Sequence, residues 1–200
     1  MNLYFYPLLV FLSMAAWSAF HSWIAAPSTK ERVRRIFGSQ IDRYYRLVFV
    51  FAAGLTLFPI LGMLILFPSQ SLWVIRAPWV YLSVSIQVVS AVIVIISVIQ
   101  TDPMIFVGWR QLQNPDAEEK KEMITSGLYG LVRHPQFLFS IILLWLFPYM
   151  TNLVLAFNIA STLYFLVGTF IEESKLKQHF GEKYEAYQEK VPRIIPGIKG

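Results

Sequence analysis

Residues 79–100 have the sequence WVYLSVSIQVVSAVIVIISVIQ and carry no charged side chain. A helix needs about 20 mostly apolar residues to cross the hydrocarbon core of a bilayer, so this stretch is long enough to do so. Its valines and isoleucines do not indicate strands, because an open sheet in lipid would leave backbone groups without hydrogen-bond partners. The stretch therefore predicts a membrane-spanning helix.

The composition of the whole chain supports the same class of protein. Of its 200 residues, 56% are hydrophobic and 14% are charged, whereas a soluble domain has about a quarter charged residues. A soluble domain of this size could not bury so much apolar surface. An ordinary soluble enzyme and a disordered tail are excluded, and the absence of cysteine excludes a disulfide scaffold.

Apolar stretches elsewhere in the chain predict an all-α integral membrane bundle of about five transmembrane helices. Residues 136–171 are too long for one span, and the turn signal from Pro148 to Asn152 divides them into a helical hairpin. The second helix of this hairpin is expected to continue to Glu189 as a polar helix. We treat residues 1–200 as one domain, with three spans in residues 1–100. The other expected apolar stretches are residues 3–26, 44–67, 135–147 and 152–170.

The distribution of basic residues predicts the orientation of these helices. With five spans, 16 of the 17 Lys and Arg residues fall on one side of the membrane. The positive-inside bias then places the amino terminus outside, and the carboxyl terminus and residues 101–134 in the cytoplasm. The net charge of +5 indicates contact with anionic headgroups, chiefly through the basic residues of 30–46, rather than with nucleic acid.

Polar residues at the expected cytoplasmic surface are the candidates for chemistry. Arg133 and His134 directly precede an apolar helix that begins at Pro135. They either contact headgroups and cap this helix, or face a cavity beside the hairpin and bind a polar ligand. Glu172 and Glu173 point about 100° apart on a helix, so they cannot both face one site. If one of them binds a ligand, the other is expected to pair with a lysine or an arginine.

The sequence indicates no metal site and assigns no catalytic residue. His21, His134 and His179 have a spacing that matches no metal-binding motif. The chain has no phosphate-binding glycine loop and no dinucleotide-binding fingerprint. If chemistry at this surface needs a general base, Glu173 is a candidate carboxylate.

Residues 125–137, TSGLYGLVRHPQF, open a longer pattern. A hairpin and then Glu172-Glu173, Leu176, Phe180-Gly181, Tyr184 and Tyr187 follow in order. This pattern resembles the isoprenylcysteine carboxyl methyltransferase and phospholipid methyltransferase superfamily of integral membrane enzymes. The first half of the chain, with His21-Ser-Trp and a basic loop, is more loosely similar to NnrU-type membrane proteins.

The resemblance implies an S-adenosylmethionine site at the cytoplasmic membrane surface and a lipophilic small-molecule or lipid-anchored acceptor. Glu172 would hold the polar end of the cofactor, and Arg133 or His134 could bind its carboxylate. The residues that the resemblance assigns to the cofactor are Lys121, Met123, Ile124, Tyr129, Arg133, His134, Pro135, Gln136, Phe137 and Glu172.

Gly168 departs from the family pattern. Isoprenylcysteine enzymes have a substrate-contacting arginine at this position, one helical turn before the glutamate pair, and glycine cannot orient a carboxylate. Gly168 leaves space rather than charge at this turn, so we expect a neutral or thiol-bearing lipophilic acceptor or a lipid amine rather than a prenylcysteine. A non-catalytic, NnrU-like protein that retains the fold is the alternative, and a small transporter is disfavoured because the second and third spans contain no charge inside the membrane.

We expect the carboxyl terminus and residues 101–134 to be cytoplasmic and Asn2 to be external, because the basic residues sort to one side. Reporter fusions to each loop measure this directly. A carboxyl terminus found outside would refute the orientation.

Overall fold

The computed structural model describes residues 4–114 and 122–198, and most of them are helical. Nine α-helices and two short strands are present in this part of the chain. In order they are α1 (Phe5–Ile24), α2 (Pro27–Phe37), α3 (Ile41–Leu66), β1 (Ser71–Val74), α4 (Trp79–Gln100), α5 (Pro103–Val107), α6 (Trp109–Gln113), α7 (Pro135–Trp145), β2 (Tyr149–Thr151), α8 (Asn152–Phe180) and α9 (Glu182–Lys190).

Four of these helices, α1, α3, α4 and α8, are long and apolar enough to cross a membrane. The expected all-α membrane bundle is confirmed, and the span expected at residues 79–100 is α4 with the same bounds. The expected fifth span is α7, which has 11 residues. At 1.5 Å per residue its length is about 16 Å, roughly half of the hydrocarbon core, so α7 does not cross the bilayer alone.

The described residues divide into two compact units. The first comprises residues 4–69, 101–114 and 122. In it, Trp17 on α1 donates from Nε1 to the Ala53 carbonyl oxygen of α3 at 3.2 Å. The ring of His21 packs against Trp17 and Phe49, with centroids 4.9 and 4.8 Å away. His21 therefore lies in an aromatic contact between α1 and α3.

The second unit comprises residues 70–100 and 123–198. Small and polar side chains of α4 face α7 in this unit. The Ser83 hydroxyl donates to the Leu146 carbonyl oxygen, and Gln87 Nε2 donates to the Leu143 carbonyl oxygen at 2.9 Å. Ser90 is also buried. Small residues let membrane helices approach closely, and these contacts place α7 firmly against α4.

The turn of the α7–α8 hairpin contains a strand that sequence analysis did not predict. β2 pairs antiparallel with β1, and Tyr149 lies opposite Val74. Thr151 caps α8, since its hydroxyl oxygen accepts from the Val154 backbone nitrogen at 3.2 Å. Asn158 Nδ2 donates to the Leu144 carbonyl oxygen at 2.9 Å and joins the two helices of the hairpin.

The expected polar helix after the last span is interrupted. α8 continues as far as Phe180, but Gly181 adopts φ 56° and ψ −134°, and α9 begins at Glu182. Only glycine adopts this backbone conformation without strain. The prediction of one continuous helix to Glu189 was therefore wrong, and the break lets α9 pack back onto the end of α8.

Ser90→Leu should destabilise the second unit by about 1–3 kcal/mol, because it adds volume to a tightly packed helix contact. Ser85→Leu is the matched control: Ser85 is exposed on the same helix and the substitution there should change stability little. Thermal unfolding in detergent measures both variants. Equal stability of the two would contradict the assigned packing face of α4.

Candidate functional site

The buried carboxylate of Glu173 is the centre of the polar site. Glu173 lies in the carboxyl-terminal third of α8 and is 4% exposed. Its Oε1 accepts from Arg133 Nε at 2.7 Å, and its Oε2 accepts from Gln188 Nε2 at 2.9 Å and from Arg193 Nε at 3.2 Å. His134 Nε2 is 3.3 Å from Oε1. One carboxylate on α8 thus contacts side chains from three other segments of the chain.

Arg133 also holds the carboxyl-terminal tail. Its Nη1 donates to the Gln188 and Val191 carbonyl oxygens at 2.9 and 2.6 Å. These oxygens lie at the end of α9, where a cation interacts favourably with the helix dipole. The backbone nitrogen of Arg133 donates to the Pro192 carbonyl oxygen at 2.8 Å. The segment before α7 and the tail are therefore held together by both backbone and side-chain contacts.

His134 connects the two glutamates. Its Nδ1 is 3.4 Å from Glu172 Oε2 and its Nε2 is 3.3 Å from Glu173 Oε1. Burial lowers the pKa of His134, but the carboxylates of Glu172 and Glu173 outweigh this effect and raise the pKa above its usual value. Both ring nitrogens donate only in the protonated form, so the geometry fits an imidazolium.

Glu172 differs from its neighbour in exposure. The side chain of Glu172 is 45% exposed, whereas that of Glu173 is 5% exposed. Sequence analysis expected one glutamate to face a ligand and the other to pair with a lysine or an arginine. Arg133 and Arg193 are the partners of Glu173, and Glu172 is the carboxylate left with an exposed surface.

Aromatic rings pack against His134, which contacts this exposed carboxylate. The Phe137 ring stacks on His134 with centroids 5.5 Å apart and planes 5° apart. Its other neighbour is Phe165 of α8, at 5.4 Å. Gly168 lies next to Phe137: a β-carbon built there would be 3.8 Å from the ring. Apolar and aromatic surface thus adjoins the polar end of the site.

Tyrosines attach the residues before Arg133 to the rest of the unit. The Tyr187 hydroxyl donates to the Tyr129 carbonyl oxygen at 2.6 Å, and burial raises the pKa of Tyr187 to about 12. The Tyr129 hydroxyl donates to the Ser97 carbonyl oxygen at 3.3 Å. Tyr184, Tyr187 and Val191 form a buried cluster against which Met123 packs.

The structure brings most of the predicted cofactor residues into one region. Arg133 and His134 directly precede α7, and Pro135, Gln136 and Phe137 begin it. Of these residues, His134 contacts Glu172, at 3.4 Å. Met123 and Tyr129 lie at the tyrosine cluster. Ile124 lies in the irregular segment between them, and Lys121 lies outside the described residues.

The contacts of Arg133 within the protein bear on its predicted role. Arg133 is bound by Glu173 and by two carbonyl oxygens of the protein, so its role toward a cofactor carboxylate stays a prediction. Sequence analysis missed Gln188, whose contact with Glu173 spans 15 positions and has no local signal. No group of three metal-ligating side chains that could hold a metal ion occurs in residues 4–114 and 122–198.

Glu173→Gln should destabilise the second unit by about 3–5 kcal/mol, because it leaves the buried Arg133 without its counter-charge. The control is Glu185→Gln. Glu185 pairs with Lys177 at 3.7 Å on the surface, and its loss should cost less than about 1 kcal/mol. Denaturant unfolding compares the two variants, and a small effect at Glu173 would contradict its central role.

The raised pKa of His134 makes stability depend on pH. A protonated His134 stabilises the folded state, and this contribution is complete below the unfolded value of 6.5 and is lost as pH rises through the higher folded value. The stability difference between the wild type and His134→Gln should therefore shrink as pH rises. Thermal unfolding of the wild type and of His134→Gln, measured at pH 6.5 and at increasing pH, tests this expectation. His179→Gln is the control and is expected to follow the wild type.

Comparisons with known proteins identify a family and several relatives of this chain. A family model described as "Protein of unknown function (DUF1295)" matches residues 28–191. Methanethiol S-methyltransferase of Pseudomonas deceptionensis is 42% identical over 75 residues, which cover 38% of this chain and 29% of that protein. The corresponding enzyme of Crocosphaera subtropica is 40% identical over 74 residues, covering 37% of this chain and 29% of that protein.

A second group of relatives is named for a different acceptor. Protein-S-isoprenylcysteine O-methyltransferase B of Arabidopsis thaliana is 31% identical over 86 residues, covering 40% of this chain and 43% of that protein. The chain thus matches less than half the length of each of these relatives. No solved structure matches it significantly. The chain belongs to the DUF1295 family, and its resemblance to the integral membrane methyltransferase superfamily is confirmed.

Proposed function

We propose that this protein transfers a methyl group from S-adenosylmethionine to a small lipophilic acceptor, a thiol in the first place, at the cytoplasmic membrane surface. The observation that carries the proposal is the exposed carboxylate of Glu172, which lies 3.4 Å from His134, whose ring stacks on Phe137. The names of the relatives support methyl transfer as the reaction class.

The residues present fit the cofactor in chemical type. S-adenosylmethionine carries an ammonium group and ribose hydroxyls, which a carboxylate accepts from, and an adenine ring, which needs apolar walls. Glu172 has an exposed carboxylate for the first requirement, and Phe137 supplies aromatic surface for the second. Arg133, His134 and Arg193 outnumber the two glutamates, so the region carries a net positive charge suited to the cofactor's carboxylate when His134 is protonated.

When bound, the cofactor would supply an electrophilic methyl group to the acceptor's electron pair, and its sulfonium sulfur would keep the electrons of the broken bond. Glu172 would bind and orient the polar end. Phe137 and Phe165 would exclude water, and most of the rate would come from positioning. Glu173 is a poor candidate for a general base, because its donors stabilise the ionised form. A thiol acceptor that releases its proton to water needs no such base.

Gly168 favours a small acceptor without a carboxylate. It offers space next to Phe137 and no charge, and methanethiol is the acceptor that several relatives are named for.

The purified protein should be assayed with labelled cofactor against methanethiol, a phospholipid amine and N-acetyl-farnesylcysteine in parallel. We expect turnover of the thiol and negligible methylation of the prenylcysteine. Robust turnover of the prenylcysteine would overturn the thiol assignment.

Glu172→Gln should weaken cofactor binding by about 1.5–3 kcal/mol, the contribution of a hydrogen bond to a charged group. The substitution keeps the shape of the side chain and removes its charge. Calorimetric titration measures the affinity. Glu185→Gln, which removes a surface carboxylate on α9, is the matched control and should bind as the wild type does. Equal affinity of Glu172→Gln and the wild type would assign Glu172 a purely structural role.

A further inference from the structure

Side chains in the first half of α2 attach this helix to the ends of α1 and α3. The Thr29 hydroxyl donates to the Trp23 carbonyl oxygen of α1 at 2.7 Å. Lys30 Nζ and Arg34 Nε lie 3.9 and 3.1 Å from one carboxylate, that of Asp42 in the first turn of α3. The start and the middle of α2 are therefore fixed beside the ends of these two helices.

The other two basic residues of α2 and two of its apolar residues are exposed. Arg32 is exposed and forms no ion pair with the described residues. Arg35 pairs with Glu31 at 3.9 Å, but both side chains are largely exposed, so this contact is weak. Ile36 and Phe37 are 75% and 69% exposed. Because Arg32 and Ile36 are four residues apart, a cation and an apolar side chain adjoin on one face of the helix.

The lengths of α1 and α3 show at what depth α2 lies in the membrane. α1 has 20 residues, which span about 30 Å, the thickness of the hydrocarbon core. The carbonyl oxygen of its last residue, Ile24, accepts from the Tyr45 hydroxyl of α3 at 2.6 Å, and residues 45–66 of α3 span about the same distance. Both helices thus reach the edge of the core at this level. Asp42 lies three residues before Tyr45, about 4.5 Å farther out, so α2 lies in the headgroup layer.

We propose that α2 is an interfacial helix that binds anionic lipids of the leaflet expected to face the cytoplasm. Arg32 and Arg35 bind the lipid phosphates, and Ile36 and Phe37 enter the adjoining acyl layer. Guanidinium groups match phosphates in charge and in hydrogen-bond geometry, and acyl chains cover the apolar side chains of a helix that lies at this depth. The charge pattern of the sequence assigned the basic residues of 30–46 to headgroups as one group. The contacts with Asp42 instead leave two of the four basic residues of α2 for the lipid.

Spin labels on the whole protein in nanodiscs test the depth of α2. The chain has no cysteine, so a single introduced cysteine gives a single labelled position. Ile36→Cys and Phe37→Cys place labels at the exposed apolar positions, and Glu31→Cys is the matched control, since position 31 is about 140° from position 36 around the helix. Collisions of the label with oxygen, which concentrates in lipid, and with a water-soluble nickel chelate report its depth. We expect the oxygen-to-nickel ratio at positions 36 and 37 to be several-fold higher than at position 31.

Lipid composition tests the role of the two arginines. The Ile36→Cys label is compared in phosphatidylcholine alone and in an equal mixture with phosphatidylglycerol, and the anionic mixture should increase its insertion. There, the ratio of inserted to uninserted label should fall about fivefold for each of Arg32 and Arg35 that is replaced by glutamine. The matched control, Arg32→Lys with Arg35→Lys, keeps both charges and should retain the insertion seen with arginine.

Two results would overturn this assignment. If the nickel chelate reaches the labels at positions 36 and 37 as readily as the label at position 31, α2 does not enter lipid, and its exposed face would then suit a protein partner instead. If insertion is the same in both lipids and in the glutamine variants, the arginines do not bind anionic headgroups.

Discussion

The ion pair between Glu173 and Arg133 is the interaction on which the candidate site depends. A carboxylate that is 4% exposed loses most of its hydration, and burial of a charge is costly unless cations and hydrogen-bond donors replace the water. Arg133, Arg193 and Gln188 supply those donors here. They come from the segment before α7, the tail and α9, so compensating one buried charge also fixes three segments around the end of α8.

The neighbouring glutamates have different roles because a helix turns about 100° per residue. Glu173 points into the protein, and Glu172 retains an exposed carboxylate. His134 bridges the two with its ring nitrogens, so the structural cluster also sets the orientation of the exposed group. The buried pair of Glu173 and Arg133 therefore also positions Glu172, the carboxylate proposed to bind the ligand. No separate structural element is needed to hold it.

Hydropathy was sufficient to predict the long helices, because the need to satisfy backbone groups in lipid permits little else. The turn signal from Pro148 to Asn152 predicted the hairpin, and the order of motifs indicated candidate polar residues before α7 and near the end of α8. The β1–β2 pair was missed because strands of four and three residues have no detectable periodicity. The helix break at Gly181 was missed because the end of α8 from Glu172 onward and the whole of α9 are both polar, and a glycine alone does not specify a turn. The partners of Glu173 are 15 to 40 positions away, a distance at which local spacing carries no information.

Calorimetric titration of the purified wild-type protein with S-adenosylmethionine and with its demethylated product tests the central claim most directly. We expect saturable binding of both ligands at one site per chain. Heats that do not differ from those of dilution, in a protein shown to be folded, would contradict it and would favour a membrane protein that retains the fold without the enzymatic activity.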